Sequence, residues 1–567
     1  MDPSSPPPSP PPSSSSSSSP RRSKRSRVEP IYYAEESMQF NILRQIERNR
    51  RSFESEDSDS DLNSDTDEEH PDSFKPPKEK KEDKSKPTSE VWKSEAKRVH
   101  PPECLLLSFL SREARQCSSP LEFFRVFVTL ELMDQIVKAT NSYGSNKFKK
   151  SWIDTDRKEM DIFFSAVIYM GIHRSPTLKS YWAEDSKPPF IIHLFPSRDR
   201  FLQLYRSFYI AEGERDLTDP IWHVRPLVDS FTKSFPLHHS PSHILVFDES
   251  MVFCKARSTL KQYIKDKPHR WGYKIWCLVS DGYLQQFSVY LGKKGRQKGE
   301  TPSEAVILLV TPYYGMNHVV VMNNFFCSPS LCQTLLRNST FVLGTIQSNR
   351  RGFPSSLVEE SSNLSRGQWS FRQNEKMVAY VFVDRKPVYF LSTYYYPSQL
   401  DTLERHGKKG QKLLFEVPKA VTAYNSFRSG VDIMDQLQSY YSIGRKNRRW
   451  WPRLAWWLID MCILNAHRLN EIKKNEKMSV REFREDLMHE LAGDIFCKSK
   501  HQHIIRKEVR SQYSFNHHLV ITEDKRDCSI CSSRPDQRKT TKFQCKICNV
   551  FLCPDTCYDI HINSNDV

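Results

Sequence analysis

The sequence predicts an α/β protein with helical flanks, and three observations lead to this fold class. Short apolar runs such as Ile244-Leu245-Val246-Phe247 are typical of buried strands. Apolar residues at helical spacing dominate the segments before and after these runs. Cysteines cluster at metal-ligand spacings near the carboxyl terminus, which indicates a separate small module. Strands mixed with helices are typical of an α/β or α+β layer.

The first hundred residues predict a disordered tail. Residues 1–20 are almost wholly Pro and Ser, which cannot form a packed core. A basic cluster at 20–27 predicts nuclear import, with a generic basic tail as the alternative. An acidic block at 54–69 repels itself and should stay extended. We expect ordered structure to begin near Pro101.

The ordered part starts with helical signals and continues with strands. Ser119 precedes Pro120 as an N-cap, and apolar residues recur at helical spacing at 124–136 and again at 161–172. Helical character continues to about residue 240. Strands are then predicted over residues 244–247, 273–278, 286–291, 318–322 and 341–345. The turn Ser280-Asp281-Gly282 separates the second strand from the third, and a helix is predicted at 305–309. A last helical face, explained by core packing, carries Trp450, Leu454, Trp457, Met461 and Leu464.

Charge and composition favour a polyanionic partner. The chain has 567 residues and a net charge of +16, which suits nucleic acid better than an anionic membrane surface. A merely soluble basic protein is the alternative. No apolar run approaches the roughly 20 residues of a membrane span, and no signal-peptide stretch is present. Six of the 14 cysteines lie between Cys528 and Cys557, which indicates a reducing compartment and a zinc module, not a disulfide framework.

The sharpest motif is this array near the carboxyl terminus. Two Cys-x2-Cys pairs precede two further cysteines and a histidine: Cys528, Cys531, Cys545, Cys548, Cys553, Cys557 and His561. Four such ligands close one tetrahedral structural zinc site. Seven candidates exceed one ion, so we expect two zinc ions, with His517 or His518 as the eighth ligand. Such modules bind proteins, including histone tails, as readily as DNA.

Three acidic residues are candidates for metal-dependent chemistry. Asp248 directly follows the predicted strand 244–247, where a side chain is exposed and rigidly held. Asp432 and Asp435 are three residues apart, so a helix would present both on one side. Convergent carboxylates can hold two Mg²⁺ ions for phosphoryl transfer.

Several blocks resemble the piggyBac transposase family. The first block is Phe247-Asp248-Glu249-Ser250-Met251, followed by Lys267-Pro268-His269-Arg270-Trp271-Gly272-Tyr273-Lys274. The second is Asn323-Asn324-Phe325-Phe326-Cys327-Ser328. Further matching blocks follow in order at 343–350, 391–393, 424–425, 430–432 and 447–452, and the terminal Cys/His array resembles the cysteine-rich domain of the family.

The resemblance implies an RNase H-like DDE transposase core with an inserted subdomain. The core would comprise residues 243–352 and 420–441, with the insertion at 353–419. A discontinuous helical DNA-binding and dimerisation domain would comprise 101–242 and 442–512. The cysteine-rich zinc domain would comprise 513–561. The family also implies a homodimer acting on double-stranded DNA at TTAA sites.

One family position departs from the pattern. Of the three metal-binding aspartates of the family, the first maps to Asp248 and the third to Asp432, with Asp435 as its neighbour. The second maps to Asn323. A neutral amide is a poorer ligand for Mg²⁺ than a carboxylate, so we expect weakened metal binding and a large loss of rate. At Gln347, where the family usually has a basic residue, a phosphate contact would be weakened.

Two basic clusters are candidates for DNA contact. One lies among tryptophans and contains Arg445, Lys446, Arg448, Arg449 and Arg453. The other lies in a Gly-containing loop and contains Lys293, Lys294, Arg296 and Lys298. Such clusters neutralise phosphates without reading sequence, and solvated charged faces are the alternative.

Together these observations predict a transposase-derived nuclear DNA-binding protein that lacks efficient cleavage. The alternatives are an active transposase that tolerates Asn323, and an interaction protein that binds chromatin or another protein through the zinc module.

Overall fold

The computed structural model describes most of the chain after residue 90. The described residues are 91–97, 101–105, 108–183, 190–265, 267, 270–292, 301–406, 411–445, 449–493, 519–531, 539–545, 550–554 and 557. The basic cluster at 20–27 and the acidic block at 54–69 lie outside them. Within the described ranges, no helix combines the length and apolar character needed to cross a membrane.

Several helices begin directly after a residue whose side chain accepts a hydrogen bond from the first turn. Ser119 accepts a hydrogen bond from the Glu122 amide and Pro120 opens the helix, as the sequence predicts. The α-helices in the described ranges are α1 (Arg112–Gln116), α2 (Pro120–Arg125), α3 (Leu130–Phe148), α4 (Arg157–Ile172), α5 (Phe190–Leu194), α6 (Arg198–Ser207), α7 (Arg225–His238), α8 (Pro302–Val310), α9 (Pro329–Arg337), α10 (Ser355–Glu360), α11 (Lys419–Phe427), α12 (Gly430–Tyr440), α13 (Trp451–Lys474) and α14 (Val480–Ala492). Short 3-10 helices are Lys149–Ser151, Lys179–Trp182, Trp222–Val224, Thr311–Tyr313 and Ser361–Asn363.

Strands occupy the middle of the chain and its cysteine-rich end. The strands of the described residues are β1 (Ile244–Phe253), β2 (Gln262–Tyr263), β3 (Trp271–Ser280), β4 (Tyr283–Val289), β5 (Val319–Met322), β6 (Phe341–Ile346), β7 (Trp369–Gln373), β8 (Val378–Val383), β9 (Pro387–Ser392), β10 (Leu400–His406), β11 (Lys412–Pro418), β12 (Leu519–Asp527) and β13 (Thr540–Cys545). The predicted strand at 286–291 begins earlier, at Tyr283. Asp281 and Gly282 both have positive φ and form a tight turn between β3 and β4.

Nine of the strands in the described ranges form one mixed sheet. Its order is β2-β3-β1-β5-β6-β9-β8-β7, with β4 paired to β3. The strands β4, β3 and β1 are antiparallel neighbours, whereas β5 and β6 run parallel to β1. The predicted insertion supplies β9, β8 and β7, which extend the same sheet in antiparallel order beyond β6.

Both faces of the sheet are covered, so its inner strands are apolar on both sides. Leu245 and Phe247 of β1 pack with helices α8, α9 and α10 on one face. Val246 and Val252 alternate with them and lie on the opposite face, towards α7, α12 and α13. By the same alternation, Asp248 lies on the face of Val246 and Val252, which is the face covered by α12.

The helical layer is built from both ends of the described chain. The long helix α13 contacts α2, and α14 contacts both α2 and α4. Almost every residue of α13 from Trp451 to Asn470 is buried. Residues separated by more than 300 positions therefore share one core.

The segment before residue 101 differs from the sequence expectation. Order is predicted to begin near Pro101, but Lys93 already pairs with Gln373 of β7 through two backbone hydrogen bonds of 2.8 Å. The Lys97 amide also donates to the Gln373 side chain at 3.1 Å. Residues 91–97 thus cover the edge strand β7, which would otherwise present unpaired backbone groups.

A buried ion pair joins the helices on the α12 face. Arg484 Nη2 of α14 lies 2.8 Å from Asp460 Oδ1 of α13, and both side chains are fully buried. The other Asp460 oxygen accepts hydrogen bonds from Gln438 Nε2 at 2.8 Å and from the Ile443 amide at 3.3 Å. Arg484 Nη1 donates to the Tyr441 carbonyl at 3.2 Å. The pair therefore fixes the end of α12 against α13 and α14.

We expect Asp460→Ala to lower the free energy of unfolding by about 3–5 kcal/mol, because it leaves the Arg484 charge buried without its partner. Urea denaturation of the full chain measures this change. The matched control is Asp229→Ala, which removes a half-exposed carboxylate 3.9 Å from Arg225 and should cost about 1 kcal/mol or less. Equal effects of the two substitutions would contradict the structural role of the buried pair.

Candidate functional site

The strand β1 carries Asp248 to the centre of the candidate site. The sequence placed Asp248 directly after a strand that ends at Phe247, and this is wrong. The strand continues to Phe253, and Asp248 pairs with Cys277 of β3. The parallel neighbour β5 ends at Met322, opposite Phe247. Because β1 extends beyond β5, Asp248 lies next to the residue that follows β5.

That residue is Asn323, and its side-chain amide is bonded at both ends. Asn323 Nδ2 donates to Asp248 Oδ1 at 2.9 Å, and Asn323 Oδ1 accepts from the Phe325 amide at 2.9 Å. The turn that holds Asn323 packs closely on β6. A Cβ at Gly344 would lie 2.8 Å from the Met322 carbonyl oxygen, so only glycine permits this approach.

Helix α12 brings the other two carboxylates to β1. Asp435 Oδ1 accepts a hydrogen bond of 2.5 Å from the buried Ser250 hydroxyl of β1. Burial raises the pKa of Asp435 to about 6, although Ser250 and Lys267 act in the opposite direction. Asp432 is more exposed, and its Oδ1 lies 3.2 Å from Lys267 Nζ. Asp435 therefore contacts β1 directly, whereas Asp432 contacts Lys267.

Lys267 is a site residue that the sequence analysis did not single out. Its ammonium group donates to the Glu249 carbonyl at 2.9 Å and to Asp432 at 3.2 Å. Burial lowers the pKa of Lys267, but the attraction of Asp248, Asp432 and Glu249 exceeds this effect and the pKa is raised. The available signal was its place in the block from Lys267 to Lys274, which supported only the family resemblance.

The electrostatics of the site raise the pKa of Asp248 towards neutrality. Burial, followed by the neighbouring charge of Glu249, raises the pKa of Asp248 to about 7. Lys267 and the Glu249 amide oppose this shift without cancelling it. A carboxyl group with this pKa is a weaker metal ligand near neutral pH, because the proton competes with the cation.

These residues do not fit a pair of Mg²⁺ ions as they are arranged. Mg²⁺ requires an octahedral shell of oxygen ligands. Here an amide N–H of Asn323 donates to an Asp248 oxygen, and the Lys267 ammonium group donates to an Asp432 oxygen. Both carboxylates therefore already bond to N–H donors. Among the described residues, the carboxylates do not form a group of three ligand atoms within 4.8 Å of one another.

The basic residues are only partly described. Arg445 Nη2 donates to the Tyr181 hydroxyl at 2.5 Å and to the Ser175 carbonyl at 3.3 Å. The Arg449 guanidinium lies 5.1 Å from the ring centre of Trp451. Arg453 was predicted to contact phosphate, but it is largely buried and donates to the Phe253 carbonyl at 3.0 Å, so this prediction is wrong. Outside the described residues lie Lys446, Arg448, Lys293, Lys294, Arg296 and Lys298.

The cysteine-rich end gathers four thiols. The sulfur atoms of Cys528, Cys531, Cys553 and Cys557 all lie within 4.8 Å of one another. Burial opposes ionisation of Cys528, but backbone amides of Cys531, Cys553 and Ile530 donate to it, and its pKa falls to about 7. Four thiolates at this separation fit one tetrahedral structural zinc ion.

The rest of the predicted ligand set lies elsewhere. Cys545 is buried at the end of β13, outside the four-thiol group. Its amide donates to the Val550 carbonyl at 2.9 Å. The predicted ligands Cys548, His561 and His517 lie outside the described residues, as does His518. The second zinc site therefore stays a prediction.

Comparisons with known proteins agree with the quoted sequence blocks. A family model described as Transposase IS4 matches residues 119–467, more than half of the chain. Human PiggyBac transposable element-derived protein 3 is 24% identical over 454 residues, which cover 76% of this chain and 74% of that protein. The chain belongs to the piggyBac-type transposase family. The suspected relationship is thus confirmed.

Other members of the piggyBac-type family support the same conclusion. Human PiggyBac transposable element-derived protein 2 is 24% identical over 441 residues, covering 73% of each chain. A cryo-EM structure of the piggyBac transposase synaptic complex with hairpin DNA matches with a TM-score of 0.61 at 24% identity. The match covers 79% of this chain and 98% of that one. The predicted α/β fold with an RNase H-like core is confirmed.

Metal analysis of the purified full chain tests the four-thiol site. We expect bound zinc, and we expect Cys531→Ser to contain about one zinc ion per chain fewer, because a closed structural site needs all four ligands. The matched control is Cys117→Ser, whose Sγ donates to the Glu113 carbonyl at 3.3 Å far from the array in sequence. Equal zinc content in both variants and the unaltered chain would exclude Cys531 as a ligand.

Proposed function

We propose that this piggyBac-type chain is a transposase-derived DNA-binding protein whose carboxylate site is impaired for strand cleavage. The observation that carries the proposal is the hydrogen bond from Asn323 Nδ2 to Asp248 Oδ1. It joins the positions that correspond to the first and second metal-binding acids of the family.

The chemistry of this bond explains the impairment. Two aspartates at these positions would repel each other, and a divalent cation between them would relieve the repulsion. Asparagine removes one negative charge and supplies an N–H donor in its place. Its carbonyl oxygen is already used by the Phe325 amide. The two side chains therefore bond directly to each other, which two ionised aspartates would not do.

DNA binding is supported by the family and by the charge of the chain. A related piggyBac transposase has been solved in a synaptic complex with hairpin DNA. This chain retains a net charge of +16. Arg449 and Arg445 lie beside aromatic rings of the helical layer, where guanidinium groups combine phosphate contact with stacking. Loss of one metal ligand leaves these groups unchanged, so binding can persist without cleavage.

Strand cleavage with Mg²⁺ and with Mn²⁺ tests the proposal on DNA fragments enriched by the protein itself. We expect the unaltered chain to bind these fragments without cutting them. Asn323→Asp should restore the missing carboxylate and raise cleavage about a hundredfold, the scale on which misplacement of reacting groups acts. The matched control is the double variant Asn323→Asp with Asp248→Ala, which should be inactive.

Cleavage by the unaltered chain that disappears in Asp248→Ala would support the rival function, an active transposase. It would overturn the impairment while leaving the fold and family unaffected. Absence of DNA binding in every variant would overturn the DNA-binding part of the proposal and favour an interaction protein.

We also propose a nuclear location, supported by the basic cluster at 20–27 and by a DNA ligand. A fluorescent fusion of the full chain should concentrate in the nucleus. Replacing the arginines and lysine of 20–27 by glutamine should shift it towards the cytoplasm, because import signals act through positive charge. The charge-matched control makes the same replacement at Lys78, Lys80, Lys81, Lys84 and Lys86. If neither set of replacements changed the ratio of nuclear to cytoplasmic fluorescence, the proposed role of the cluster would be refuted.

A further inference from the structure

A short segment leads into helix α1 and bonds to the core on the way. We call it the entry segment, and it comprises residues 103–105 and 108–111 of the described chain. The Leu105 amide donates to the Met316 carbonyl at 3.0 Å, which attaches the start of the segment close to β5. The Ser111 amide donates at 3.1 Å to the carbonyl of the residue that ends α7. The chain before residue 103 therefore joins the helical layer through a segment that is bonded at both ends.

Two adjacent histidines at the end of α7 bond the side chains of the entry segment. His238 is the last residue of α7, and His239 follows it. Ser111 Oγ lies 3.0 Å from His238 Nδ1. Ser108 Oγ lies 3.2 Å from His239 Nε2, and the His239 side chain is fully buried. The second half of the segment is thus attached through two imidazole rings.

A third histidine meets the first half of the segment. The Nδ1 atom of His318 lies 3.6 Å from the sulfur of Cys104, and the same thiol donates to the Met316 carbonyl at 3.4 Å. His318 directly precedes β5 and is fully buried. Its ring packs edge-on against Tyr313, with ring centres 5.8 Å apart. The polar side chains at both ends of the entry segment therefore contact imidazole nitrogens.

The hydrogen bonds around His239 require a neutral ring. Gln285 Oε1 accepts a hydrogen bond from the Tyr313 hydroxyl at 3.4 Å, so the amino group of Gln285 faces His239. That amino group lies 2.8 Å from His239 Nδ1, which accepts the bond. The proton of the neutral ring then lies on Nε2 and points at Ser108. A second proton on Nδ1 would place two N–H donors against each other.

Burial keeps all three rings neutral at physiological pH. It is the largest influence on each of them and lowers the pKa of His238, His239 and His318 to about 4. Charged and titratable neighbours act on them more weakly. These neighbours are Glu113 for His238, then Asp281, Arg468 and Tyr283 for His239, and His243, Cys104 and Tyr313 for His318.

Rings of this kind make the attachment of the segment depend on pH in one direction. A released histidine regains its ordinary pKa of 6.5, whereas the attached ring keeps the lower value. As the pH falls below 6.5, the released state binds more protons, and the attached state loses stability. This loss continues until the pH reaches about 4, where the attached rings are protonated as well. Above 6.5 the attachment is fully stable.

We propose that these three histidines form an acid-sensitive latch, which releases the entry segment from the end of α7 and the start of β5 while the sheet stays folded. The segment opens before the sheet because Leu105 and Ser108 are exposed, whereas every residue of β5 is buried. The chain before residue 103 would then depend on the contacts of residues 91–97 with β7. The latch requires neither DNA nor a metal.

Hydrogen exchange of the full chain at pH 7 and pH 5, followed by mass spectrometry, tests the latch. Each rate is divided by the intrinsic rate at the same pH, so that only protection is compared. Each released histidine should lower the protection of the entry segment about twentyfold between these pH values, given the pKa values of the attached and released rings. Peptides from β1 should keep their protection.

Two variants separate the histidines from general instability. His238→Gln and His239→Gln supply an amide that forms hydrogen bonds but does not titrate, so each should remove its own twentyfold step, about one third of the response on a logarithmic scale. A weaker fold alone would not change this dependence on pH. The matched control is His467→Gln in α13, where burial also lowers the pKa and Nε2 lies 2.7 Å from the Met478 carbonyl. It should leave the response of the entry segment intact.

Three results would overturn the latch. The first is an entry segment that keeps its protection at pH 5 in the unaltered chain. The second is the same pH dependence in both histidine variants as in the unaltered chain. The third is a simultaneous loss of protection in β1, because acid would then unfold the sheet together with the segment.

Discussion

The ion pair between Arg484 and Asp460 is the interaction on which the arrangement of this molecule most depends. Two opposite charges are fully buried, and they are bonded further to groups at the end of α12 and in the loop that follows it. An unpaired charge at this depth would be very costly, so the geometry around the pair tolerates little variation. Because α12 also carries Asp432 and Asp435, a polar contact within the helical layer determines where two of the site carboxylates stand.

At the carboxylate site, the amide nitrogen of Asn323 stands where an aspartate would have an oxygen, and this changes how the neighbouring carboxylates are bonded. With asparagine at position 323, the strand ends and the helix still converge, yet the convergence is stabilised by N–H donors from Asn323 and Lys267. A site of this kind holds its shape through hydrogen bonds. The scaffold can therefore keep its fold while these carboxylates bond to neighbouring N–H donors.

Much of the fold could be predicted from the sequence because its inner strands are apolar on both faces and several of its helices begin at clear caps. Asp248 and Asp435 were also identified, since the blocks around them are distinctive. The extent of β1 was missed because Asp248, Glu249 and Ser250 interrupt the apolar run, and only tertiary pairing with β3 makes them strand residues. Lys267 was missed for a related reason: its partner Asp432 is 165 residues away. Local patterns contain no information about such contacts.

The helical layer combines segments from opposite ends of the described chain, since α2 and α4 complete their core only with α13 and α14. During synthesis the early helices leave the ribosome with their apolar faces uncovered. At about 5–20 residues per second, roughly 300 further residues take tens of seconds to appear. The central sheet can form in that interval, whereas the layer beside it must wait. Cellular yield of this protein should therefore depend on chaperones that shield α2 and α4 until translation is nearly finished.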